Sequence, residues 1–136
     1  MTFTPPLISA ATAGILIIMQ TVLMMTVVAA RRRNRQSLGD GGHHDLLMAV
    51  RRHGNFAENA AVFLVGFALL ELAGGGRVGL AVLCAAFVLG RISHAIGLSM
   101  PDTVNRFRVV GVVLTAVVGL ALGARLLLLA LSQLSV

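Results

Sequence analysis

Arg51-Arg52-His53-Gly54-Asn55-Phe56-Ala57-Glu58 opens a segment that then runs apolar from Ala60 to Leu70. On a helix at about 100° per residue, Arg51, Asn55 and Glu58 fall within roughly 60° of one another. The same helix carries Glu58 roughly 10 Å further along its axis than Arg51, into the apolar layer. An asparagine and a carboxylate at that depth are costly to hold in hydrocarbon without partners. Two readings follow: a buried polar site, or polar side chains that only join neighbouring helices.

Composition extends the membrane reading to the whole chain. Of 136 residues, 57% are apolar, and the mean hydropathy is +0.93. Soluble domains sit nearer about 45–50% apolar and could not hide this much hydrophobic surface. The sequence therefore predicts an all-α membrane protein, a single four-transmembrane-helix bundle over residues 1–136. The expected spans are about 7–30, 45–73, 78–98 and 107–131. There is no Trp and no Tyr, so the usual interfacial aromatic belt is missing. Cys84 stands alone in an apolar run, which excludes an internal disulfide framework. The first apolar run is too long for a signal h-region and reads as a retained span.

Leu7 to Ala30 carries no charge, and Gln20 is its one strongly polar side chain in mid-span, placed for a helix–helix hydrogen bond. Arg31, Arg32, Arg33 and Arg35 end that span. Residues 37–44 form a turn-rich loop. His43 and His44 beside Asp45 suggest a metal, but no second ligand pair stands near them in the sequence. Glu71 ends the second span at the opposite interface, where solvation is expected. Gly74-Gly75-Gly76-Arg77 is a tight turn. Arg91 and His94 share a face near the end of the third span. Pro101 closes the next loop, and Arg106 and Arg108 open the fourth span. Arg125 lies about 25 Å further along that helix and is expected to snorkel to the outer interface.

Arginines 31, 32, 33, 35, 51, 52, 91, 106 and 108 gather at one end of the bundle, and only 77 and 125 at the other. The positive-inside rule makes the first end cytoplasmic and puts both termini on the outer side. The same rule accounts for the net charge of +6 without nucleic acid. Arginine without lysine fits a GC-rich bacterial genome, and hence a bacterial inner membrane with both termini periplasmic.

Arg51-x-x-x-Asn55-x-x-Glu58 at the start of the second span resembles the signature of the MAPEG family, membrane-associated proteins in eicosanoid and glutathione metabolism. Arg91-x-x-His94 resembles the family's second motif, and Asn105-Arg106 its third. The ordered set covers nearly the whole chain and looks like a bacterial-type member. The resemblance implies a homotrimer with glutathione as co-substrate, held between neighbouring subunits near the cytoplasmic face. It implies that Arg51, Asn55 and Glu58 hold the peptide's carboxylates, amide and amino group. Arg91 and His94 belong to the same substrate-binding set, and Arg31 or Arg32 would match an extra carboxylate clamp. An arginine opening the fourth helix would face the sulfur, either Arg106 or Arg108. Two positions depart from the family pattern. Leu98 stands where a tyrosine is usual, and Leu47-Met48 where a Glu-Arg pair is common.

Glutathione carries two carboxylates and one ammonium, which suits guanidinium forks and a carboxylate in one groove. Catalysis needs the thiolate, and a cation in a low-dielectric groove favours the ionised sulfur. That is the task expected of Arg106 or Arg108, with Ser99 as a further donor to the sulfur. The expected activity is a glutathione-dependent transferase or peroxidase acting on apolar electrophiles or lipid hydroperoxides that arrive from the bilayer. The alternative is a non-catalytic lipid- or thiol-binding scaffold on the same fold, which the missing tyrosine favours. A small transporter would need an acidic residue in the first span, where this chain has Gln20.

Overall fold

The computed structural model describes residues 5–100 and 105–134. The turn expected at Pro101 lies outside the described residues, as do the first four residues of the chain. Four helices follow in order: α1 (Leu7–Asn34), α2 (His44–Leu72), α3 (Arg77–Gly97) and α4 (Arg106–Leu134). All four are long and apolar enough to cross a membrane, and the protein is an integral membrane protein. At 1.5 Å per residue, the 29 residues of α2 reach about 43 Å against about 30 Å of hydrocarbon. Its polar first turns therefore extend beyond the apolar layer.

α1 packs on α2 and α3, α2 on both α3 and α4, and α3 on α4. The shared interior holds Leu16, Phe67, Leu70, Leu80, Cys84, Phe87, Val118 and Leu122. Phenylalanines take the centre: Phe63 stacks on Phe87 with centroids 4.2 Å apart, and Phe67 meets Phe87 edge-on at 5.7 Å. Gln20 joins α1 to α2, its amide nitrogen 2.9 Å from Nε2 of His53.

α1 outlasts its uncharged run because arginine is a good helix former once the chain leaves the apolar layer. It stops at Arg35, which adopts the left-handed conformation at φ 51°. The amide of Gln36 then bonds back to the carbonyl of Arg31 at 3.0 Å. At the other end of α1 the structure corrects an expectation. Glu71 is half-buried rather than solvated, and its carboxylate accepts the amides of Ile8 (3.0 Å) and Ser9 (2.7 Å). Pro6, at the helix start, offers no side-chain cap. The last turn of α2 thus supplies the anion that the exposed N–H groups of α1 require. Arg125 lies over Gly76 and Gly79, at the turn that begins α3.

α3 and α4 approach each other closely at their glycines. A Cβ placed on Gly111 would lie 2.6 Å from Cβ of His94 and 2.7 Å from the carbonyl oxygen of Gly90. Only a glycine lets the two backbones meet there, and that approach brings α4 within reach of Arg91.

Candidate functional site

At the end of the bundle where arginines gather, a cavity of about 510 Å³ lies between α2, the C-terminal end of α3 and the start of α4. α2 supplies Leu47, Arg51, Gly54 and Glu58 at spacings of 4, 3 and 4, one continuous helical stripe, with Asn55 beside it. α3 adds His94 and, just past its end, Leu98; α4 adds Arg108. Arg51, Glu58 and Arg108 are exposed along it, Asn55 is half-buried and His94 is buried. One cavity thus brings together five of the expected site residues, from three helices.

The others stand elsewhere. Arg106 is exposed and does not line the cavity. Arg91 is only 3% exposed and sits behind Asn55. Its Nη1 donates to Oδ1 of Asn55 at 3.1 Å, and its Nη2 donates to Oγ1 of Thr115 at 2.6 Å. Arg31 turns back on its own loop and donates to the carbonyls of Gln36, Ser37 and Gly39. Arg32 is exposed on the same turn. Ser99 is outside this cavity. It donates to the carbonyl of Ala95 at 2.9 Å and accepts Nη1 of Arg52 at 2.6 Å. His44 and Asp45 begin α2, with Asp45 held by Arg33 at 2.7 Å and by Asn34. Of the residues missed in the sequence, Leu47 and Gly54 were findable by extending the Arg51–Glu58 face. Thr115 sent no signal, because only the α3–α4 approach makes it a partner of Arg91.

The motif order, the four helices and the shared cavity meet one further finding. The model of the MAPEG family matches residues 9–128, a range that reaches into all four helices. The chain belongs to the MAPEG family. Membership puts it among membrane proteins with glutathione-related transferase, peroxidase or related functions. Neither the curated proteins nor the solved structures contain a match to it.

Two positions where this MAPEG chain departs from the resemblance have a shared location. Met48 and Leu98 line the first cavity and also a second, of about 480 Å³, bounded by α1, α2 and the end of α3. The wall between the cavities is therefore aliphatic and thioether, at the positions already noted as departing from the family pattern. Leu98, 7% exposed, puts an aliphatic side chain on that wall.

Proposed function

We propose that the protein is a membrane-bound glutathione-dependent transferase or peroxidase acting on apolar electrophiles or lipid hydroperoxides. The observation that carries this reading is the convergence of Arg51, Asn55, Glu58, His94 and Arg108 on one cavity in a MAPEG chain. Arg51 suits a carboxylate of the tripeptide and Glu58 its ammonium. Arg108 is the arginine of choice for the sulfur, because it lines the cavity and Arg106 does not. Its guanidinium favours thiolate over thiol beside it. The thiolate then attacks the electrophile, an S–C bond forms, and the leaving group departs with its electron pair. Apolar walls around Met48 and Leu98 accept a partner arriving from the lipid.

The working unit in this reading is a homotrimer in a bacterial inner membrane, with both termini periplasmic and the cavity near the cytoplasmic face. Glu58 supports the assembly. It is exposed on one chain, about 21 Å along a membrane helix from His44, and a carboxylate there calls for a protein neighbour rather than lipid. Leu98 supports the second reading, a non-catalytic thiol- or lipid-binding scaffold, because it removes the hydroxyl donor. Purified protein in detergent separates the two when mixed with glutathione and an electrophilic aromatic chloride. Turnover above the uncatalysed rate, with thiolate absorbance on glutathione binding, is expected. Saturable binding with neither would leave the scaffold.

A further inference from the structure

We infer that Arg91 is a positioning residue that fixes Asn55 as a hydrogen-bond donor to the ligand, so that the cavity selects a carboxylate or carbonyl oxygen at that point. The inference rests on the glutathione reading and deepens it by assigning a polarity to one of its contacts.

A guanidinium has donors and no acceptor, so the Asn55 atom that meets Nη1 of Arg91 at 3.1 Å is the amide oxygen. The amide nitrogen therefore faces the other way. It makes no hydrogen bond to the described residues and is not among the buried unpartnered atoms, which leaves its two hydrogens open to the cavity that Asn55 lines. Asn55 cannot turn its amide over without setting NH2 against guanidinium.

Arg91 itself has little freedom to release it. Its Nη2 is held from α4 by Thr115 at 2.6 Å and by the carbonyl of Gly111 at 3.5 Å. Its Cζ lies 5.9 Å from the ring centroid of Phe87. Among the described residues no carboxylate pairs with it; the ion pair there is Arg33 with Asp45. A buried cation held only by neutral groups favours an anion in the adjoining cavity. Polarity and charge thus act in the same direction. Arg51, Asn55 and Arg108 present donors to the cavity, against one carboxylate, Glu58. The matching ligand has a cationic group for Glu58 and at least two acceptor groups for the rest, with net negative charge.

Asn55→Asp and Arg91→Met test this, with Arg91→Lys as the conservative control, by titration calorimetry with glutathione. An aspartate at 55 accepts from Arg91 as well as the amide does, so the fold and its melting temperature are kept. The cavity, however, then faces an acceptor in place of a donor. Affinity is expected to fall about tenfold or more in Asn55→Asp, to fall less in Arg91→Met, and to be largely restored in Arg91→Lys. Asn55→Asp binding as tightly as the parent overturns the inference.

A second arm needs no ligand. With ¹⁵N-asparagine labelling of the full chain in micelles, Arg91→Met is expected to move the side-chain amide signals of Asn55 and speed their exchange. Unmoved signals overturn the inference. If the parent protein binds no glutathione, the functional reading fails on that result alone, while the amide signals still decide whether Arg91 orients Asn55.

Discussion

Arg106 and Arg108 are two residues apart, so on a helix their side chains leave about 200° apart and one cavity takes only one of them. Which one is a matter of rotation about the α4 axis, and the structure turns Arg108 inward. Under the proposed mechanism Arg108→Ala lowers kcat by about 10²-fold or more, the scale of losing one preorganised charge contact. Arg106→Ala leaves kcat within about threefold, so comparing the two single variants under saturating glutathione checks the assignment. Leu98 offers the converse test. Leu98→Tyr places a phenol at a wall of both cavities. Thiolate absorbance at a given pH is expected to rise, and an unchanged spectrum would mean that the ring does not reach the sulfur.

The helices are held in register by contacts far apart in the chain. Glu71 closes the start of α1 from 62 and 63 residues away, a cap that no local sequence around Pro6 provides. Glu71→Ala strands two amides and is expected to cost about 1–2 kcal/mol. The measurement is a lower melting temperature in detergent, with the greatest loss of amide protection in the first turn of α1. Gly111 controls the opposite end of the pair it joins. Gly111→Ala forces α3 and α4 apart against His94 and Gly90, at about 1–3 kcal/mol. Because Arg91 reaches α4 only through that approach, this variant is expected to weaken glutathione binding as well as stability. Calorimetry and melting on the same sample check both.

At the scale of the molecule, the proposed reading has a neighbouring chain cover the exposed charged residues of the cavity. Native mass spectrometry from detergent is expected to show a trimer. Glutathione is expected to raise its melting temperature in proportion to RT ln(1 + [L]/Kd), because the ligand binds the assembled state. A monomer that binds glutathione equally well would show that one chain makes the whole site.

The membrane setting, the four helices and the face carrying Arg51, Asn55 and Glu58 were legible in the sequence. Hydropathy and a 3.6-residue repeat are local properties that the bilayer reads one segment at a time. The roles of Arg91, Ser99, Glu71 and Arg31 were not legible, since the same residue at the same depth can line a cavity, brace a neighbour or cap a helix. Those outcomes depend on how each helix is rotated and how closely its neighbours approach. Here they turned on Gly111 admitting α4 to α3, and on the rotation that sends Arg108 inward. Tertiary packing decided them, because a side chain's partner is set by distances across the bundle that no spacing along the chain encodes.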